Sequence, residues 1–169
     1  MTDIPTWEPW LGQWQKVRPD IDPSKFAING RLIRLLRSFE RQREKLLESI
    51  GLTLETSDLL ISLLRSGAPE GLSATELRSA ATFPIDTSSA MTYRIDRAQS
   101  LGLVERRRSD TDRRGVIISL TERGRDLAQK DVELHMTLMD TLLADFSDTE
   151  RATLSELLGR FLVACDEVS

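Results

Sequence analysis

The sequence predicts a mainly α protein, a winged helix-turn-helix with a two-stranded β wing, flanked by N- and C-terminal dimerisation helices. Three observations predict it. Two short helical segments, residues 73–81 and 87–100, are joined by a tight turn that carries Pro84. Two short β-branched runs follow directly, residues 103–107 and 115–120, with a polar turn between them. Long amphipathic stripes lie before and after this module, each too apolar on one side to stand alone in water.

Each element has its own local reason. In TWEPWLGQWQKVR, residues 6–18, Trp7, Trp10 or Leu11, and Trp14 recur at three- and four-residue spacing, which suits a short amphipathic helix that Pro19 and Pro23 end. From Ser24 to about Ile50, the residues Phe26, Ile28, Leu32, Ile33, Leu35, Leu36, Phe39, Leu46 and Leu47 form a broad stripe with Arg and Glu opposite, hence a long helix that Gly51 terminates. Thr53 caps a helix over Leu54–Leu64, which stops before Ser66-Gly67-Ala68-Pro69. Ser73-Ala74-Thr75-Glu76 is a capping box opening a helix to about Ala81, and Asp86 or Thr87 caps the next, to about Ser100. After the strands and their turn, Arg108–Arg114, Thr121 caps a long helix to about Ala144 with Leu127, Val132, Leu134, Leu138, Met139, Leu142 and Leu143 apolar. Ser147-Asp148-Thr149-Glu150 is a second capping box and opens the last helix. The expected organisation is N-terminal helices over 1–50 (6–18 and 24–50), a DNA-binding-type module over 51–120 and C-terminal helices over 121–169. The terminal stripes are most simply buried against each other and a second copy, in a two-fold dimer.

Composition removes several function classes. At 169 residues and 19.1 kDa the chain suits one domain with long flanking helices. Its apolar runs fall far short of the ~20 residues that span a bilayer, and no basic-then-apolar leader opens the chain, so the expectation is a cytoplasmic protein with no membrane partner. One cysteine, Cys165, and one histidine, His135, supply neither a structural zinc site nor an internal disulfide. Cys165 reads as a core or dimer-seam thiol, and His135 as a polar-face or packed residue. With no paired acids, nucleophile and base, or Gly-rich phosphate loop at a usable spacing, the sequence predicts no enzyme, cofactor or metal.

The net charge of −4 hides a strong asymmetry. Residues 94–125 hold 9 Arg against 5 acidic residues, a balance of +4. Residues 126–169 hold 3 basic against 10 acidic, a balance of −7, and residues 1–93 hold 11 against 12, a balance of −1. An all-Arg basic stripe inside an acidic chain is the footprint of a localised phosphate-contact surface.

In Leu101-Gly-Leu-Val-Glu-Arg-Arg-Arg-Ser-Asp-Thr-Asp-Arg-Arg-Gly115 and Leu120-Thr-Glu-Arg-Gly124 the chain resembles the MarR family of dimeric winged-helix transcription regulators. The resemblance covers about residues 24–165. It implies that the helix from Thr87 enters the major groove of double-stranded DNA, at a pseudo-palindromic operator, that the wing reaches the adjacent minor groove, and that the terminal helices make the homodimer. Residue chemistry agrees. Thr87, Ser88, Ser89, Thr92 and Tyr93 are polar groups opposite Met91, Ile95 and Ala98, able to meet base edges or phosphates, although Thr87, Ser88 and Ser89 also suit plain capping. Arg113 and Arg114 sit near the hairpin tip, where a guanidinium suits a narrow minor groove; one of them has Asp110 or Asp112 as an alternative partner. Arg97, Arg107 and Arg108 are phosphate candidates that also suit a solvated face.

A narrower resemblance adds an effector. Trp14–Asp22, Ser89–Arg97 and the additional N-terminal helix look like the branch of the family that includes urate-responsive regulators. It implies a ligand cluster of Trp14 (or Trp10), Asp58, Arg94 and Arg106, and an effector such as urate or another aromatic acid. Arg94 has independent support, since it lies beside Ile95 on a face that turns inward and so needs a partner, Asp58 without ligand and an anion with it. A standing ion pair with no ligand role is the plainer alternative. The chain departs from that branch at Thr56-Ser57-Asp58 and at the turn 80–86.

The function expected is therefore a sequence-specific DNA-binding regulator, a repressor released by a small anionic or aromatic effector. The alternative is a helical dimer whose winged module binds a protein. If Arg113 reads the minor groove, Arg113→Ala weakens operator binding and leaves the dimer intact. Unchanged operator affinity at fixed salt, measured by titration, would contradict that role.

Overall fold

The computed structural model describes residues 8–68, 70–82, 87–108 and 115–168. The chain divides into two compact units, residues 1–49 and 50–169.

The first unit holds α1 (Glu8–Val17) and α2 (Ser24–Glu48). Trp14 of α1 stacks on Phe26 of α2, ring centroids 4.7 Å apart and planes 13° from parallel. The corner between them is held by charge. Arg18 pairs with Asp20 at 2.6 Å, and the Asp22 carboxylate accepts from the Ser24 backbone N–H and hydroxyl at 3.0 and 2.8 Å. Along α2, Phe26, Ile28, Ile33, Leu35 and Leu36 are exposed.

The second unit runs α3 (Leu54–Ser66), β1 (Leu72–Ser73), α4 (Ala74–Ala80), α5 (Ser88–Ser100), β2 (Val104–Arg108), β3 (Val116–Leu120), α6 (Glu122–Leu142) and α7 (Asp148–Val168). Its core gathers Leu59, Leu60 and Leu63 of α3, Leu77 of α4, Met91, Ile95 and Ala98 of α5, Leu103, Val104 and Ile118 of the wing, and Ala128 of α6. α3 is the central element and packs on α4, α5 and α6. The Ser57 hydroxyl donates to the buried Asp131 carboxylate, which ties α3 to α6.

The helix starts follow local chemistry. Thr53, Thr87 and Thr121 each accept a backbone N–H three residues on. Ser73 and Ser147 form capping boxes with Glu76 and Glu150, whose carboxylates accept from the serine N–H at 2.7 and 2.8 Å. Of the two cap candidates for α5, Thr87 accepts the bond; Asp86, Trp7 and Pro84 lie outside the described residues, as do Asp110 and Asp112.

The wing differs from the expected two-stranded hairpin. β1 joins it, giving an antiparallel sheet in the order β1-β3-β2, with Leu72 opposite Ile118 and Arg106 also opposite Ile118 on the other side. Gly71 allows this close pairing. At φ +100 it presses its backbone on Ile118, where an added Cβ would fall 2.1 Å from the carbonyl oxygen. Two residues are too few to show the period-2 pattern by which a strand is read.

The Leu120–Gly124 run is a clamp. The Thr121 hydroxyl accepts the Gly124 N–H at 3.0 Å and donates to the Gly102 carbonyl at 2.8 Å, while the Thr121 N–H donates to Leu103 at 3.1 Å. This fixes the start of α6 against the corner between α5 and β2. Among the described residues no helix is long and apolar enough to cross a membrane.

The clamp makes Gly124 obligatory. A Cβ there would fall 1.9 Å from the Leu103 carbonyl oxygen, a backbone atom that cannot rotate away. Gly124→Ala should lower unfolding stability by about 2–3 kcal/mol, the clash outweighing the gain of about 1 kcal/mol in helix propensity. A denaturation midpoint equal to or above that of the parent chain would show that the close approach does not exist.

Candidate nucleic-acid interface and effector cavity

α5 has two faces because its apolar residues recur at helical spacing. Met91, Ile95 and Ala98 are buried, and Thr87, Ser88, Ser89, Thr92, Tyr93 and Arg97 are exposed on the other side. The hydroxyls are not equally available. Thr87 caps the helix and shares a hydrogen with Ser89 at 3.0 Å, the Thr92 hydroxyl donates to the Ser88 carbonyl, and Arg78 of α4 donates to the Ser88 hydroxyl at 3.2 Å. Tyr93, 71% exposed, and Arg97 are the large groups that stand free on this face.

On β2, Arg107 lies 3.4 Å from the carboxylate of Glu105, and Arg108 is exposed at the strand end. Among the described residues, neither Arg97 nor Arg108 makes an ion pair. Arg113 and Arg114 lie outside the described residues. Arg78 was not foreseen; its position on α4 is fixed by folding and has no signature of its own.

The inner side of α5 is held by a buried acid. Asp58 points from α3 with its side chain 2% exposed, and Arg94 meets it at 3.5 Å with its own side chain 19% exposed. The other carboxylate oxygen accepts the backbone N–H of Thr82 at 3.0 Å. One carboxylate therefore holds both the residue that ends the α4 turn and the recognition-type helix. The turn has a second anchor on α3. Ser62 and Arg65 both donate to the Ala80 carbonyl, at 3.3 and 2.5 Å.

Beside this pair a cavity of about 560 Å³ opens, lined by Thr53, Glu55, Thr56, Ala90, Tyr93, Arg94 and Arg97. Its lining offers two guanidiniums, an aromatic ring and three hydroxyls, those of Thr53, Thr56 and Tyr93. Glu55 supplies the one carboxylate. Its pKa is pulled below the ordinary value, first by its own backbone N–H, then by the Thr53 hydroxyl, against partial desolvation, and with help from the Arg94 charge. Of the expected ligand cluster, Asp58 and Arg94 come together. Arg106 is not among the lining residues: its guanidinium is taken by Asp96 and Gln99 of α5. Trp14 and Trp10 belong to the first unit, Trp14 stacked on Phe26 and Trp10 64% exposed. Thr53, Thr56, Tyr93 and Arg97 join the cavity through the packing of α3 on α5, which no local pattern announces. Cys165, read as a core or seam thiol, is exposed on α7, so within one chain it is not a core residue. Among the described residues no cluster of His, Cys, Asp and Glu is arranged to hold a metal ion.

No family model matches the chain. It is 33% identical over 148 residues, 88% of its length and 87% of the relative's, to the HTH-type transcriptional regulator PecS of Dickeya dadantii (strain 3937). A solved structure of a cysteine-substituted MarR from E. coli, complexed with operator DNA, is 25% identical; it covers 88% of this chain and 97% of that one with a TM-score of 0.66. The fold is also that of the organohalide-sensing transcriptional regulator RdhR in its 2,4-dichlorophenol-bound form, at 19% identity, 81% and 78% coverage and a TM-score of 0.68.

Proposed function

Because the chain belongs to the MarR family of winged-helix, DNA-binding transcription regulators, we propose that it works as a homodimeric repressor in the cytoplasm, released from a pseudo-palindromic operator by a small anionic or aromatic effector. The observation that carries the reading is the division of α5. Its outer face presents Ser89, Tyr93 and Arg97 to solvent, while its inner face is fixed to α3 through Arg94 and Asp58. A helix held this way behaves as a rigid probe for a major groove. Beside it, Thr87, Ser88, Thr92, Arg107 and Arg108 supply further backbone contacts, and Arg113 and Arg114 the wing contacts. The named relatives are transcription regulators, which favours DNA over a protein as the partner and gives no support to an enzyme.

The dimer has a physical reason in α7. Leu154, Leu157, Leu158, Phe161 and Leu162 recur at three- and four-residue spacing and are all exposed in the single chain. With Val132, Met136 and Leu142 of α6, they form apolar surface that a second copy buries. Two copies then present two α5 helices to grooves ~34 Å apart.

The effector belongs in the cavity beside Arg94. An aromatic acid places its carboxylate on Arg94 or Arg97 and its ring on Tyr93, with Thr53 and Thr56 as hydrogen-bonding partners. An anion on Arg94 competes with Asp58 for the guanidinium and so loosens the contact that positions α5. This is a population shift; a coupling of ~1–3 kcal/mol changes operator affinity by about 5- to 150-fold. Urate is one member of the class. RdhR, bound to a halogenated phenol, is a protein of the same fold with an aromatic ligand.

The test is a mobility shift on DNA around the protein's own gene, titrated with urate and other aromatic acids. The parent protein shifts a fragment and releases it as effector saturates, and Arg94→Ala binds the fragment without the release. No shift on any fragment would overturn the repressor reading, and a full effector response in Arg94→Ala would remove Arg94 from the site.

A further inference from the structure

β2 alternates. Val104 is buried, and two residues on, Arg106 stands on the same face of the sheet, opposite the buried Ile118. That face packs on α5, so Arg106 emerges at the edge of the core against a helix. A cation there needs partners, and α5 provides two, one helical turn apart. The Arg106 guanidinium donates to Asp96 and to Gln99, both at 2.5 Å. The planar fork suits such a two-point grip better than an ammonium would. The chain between helix and strand is only residues 101–103, so this contact closes a short corner on its open side.

We infer that Arg106 is a positioning residue for DNA recognition, a strut that fixes the angle between the wing and the recognition helix through Asp96 and Gln99. The inference rests on the DNA-binding reading and goes beyond it, because Arg106 acts through the alignment of two reading elements and touches neither DNA nor effector. The Asp96 partner is 57% exposed and Arg106 33%. Ion pairs this exposed add little to global stability, so the role separates from folding. What the contact supplies is geometry. A helix in a major groove and a wing in the neighbouring minor groove engage together only when their spacing matches the duplex.

The experiment compares Arg106→Ala, Arg106→Lys and Asp96→Ala with the parent protein, by amide exchange without DNA and by operator titration at several salt concentrations. The strut predicts faster exchange at 104–108 in both alanine variants and melting temperatures close to the parent. It predicts operator binding about three- to fivefold weaker in each, although one substitution removes a positive charge and the other a negative one. It also predicts an unchanged salt slope in Arg106→Ala and partial recovery in Arg106→Lys. If Arg106 instead grips a phosphate, Asp96→Ala tightens operator binding and Arg106→Ala lowers the salt slope by about one; either result overturns the inference. Unchanged exchange at β2 overturns it as well, whatever the DNA does. A parent protein that binds no DNA while both alanine variants exchange faster would refute the regulator reading alone and leave the tie between wing and helix standing.

Discussion

The buried carboxylate of Asp58 is the constraint on which the reading head depends. A charge taken out of water costs several kcal/mol unless donors replace the lost hydration. α3 carries this charge into the unit, and the donors that satisfy it come from outside α3: the Thr82 backbone N–H and the Arg94 guanidinium. The turn after α4 and the helix α5 are thus placed by the same requirement. Apolar packing of Met91, Ile95 and Ala98 brings α5 to α3 with Tyr93 and Arg97 turned outward, and the ion pair ties the helix there.

A second set of contacts makes the wing part of the same rigid body. Thr121 grips the Gly102 and Leu103 carbonyls, Gly124 lets α6 approach the same corner, and Arg106 spans from β2 to α5. These contacts account for the sequence run by which the family is recognised: Leu120-Thr121 and Gly124 form the joint that holds the contact surface. The polar contact residues sit on elements whose other sides are already committed, which is how a mainly acidic chain presents a local cationic surface. The Arg94–Asp58 pair is also the weak point, since 3.5 Å is a long contact and a cavity opens beside it. The Arg94 guanidinium is held there and also lines the cavity.

Much of this was legible because it is local. Ser73, Thr121 and Ser147 cap helices through bonds spanning three residues, and such bonds leave a signature in the order of residues. The outward polar set on α5 follows from helical period alone, and Asp58 with Arg94 followed from that period together with the family resemblance. What was not legible depends on long-range placement. β1 is too short to show alternation. The Arg106 tie joins residues ten apart through a corner whose angle the sequence does not state, so Arg106 was read toward the effector. The clash space at Gly124 exists only once Leu103 is folded against it. Cys165, read as a core or dimer-seam thiol, and the apolar stripe of α7, expected to be buried against the other terminal helices and a second copy, are exposed. Amphipathicity says that a face needs covering and leaves open which molecule covers it.

The central claim is that Asp58 and Arg94 hold each other, and a double-mutant cycle on unfolding free energy tests it most directly. Asp58→Asn and Arg94→Met are measured singly and together by chemical denaturation. The account predicts that each single change destabilises the protein and that the double variant loses about 1–3 kcal/mol less than the two losses combined. Strictly additive losses would contradict it, because they would mean that the acid and the guanidinium sit close without depending on one another.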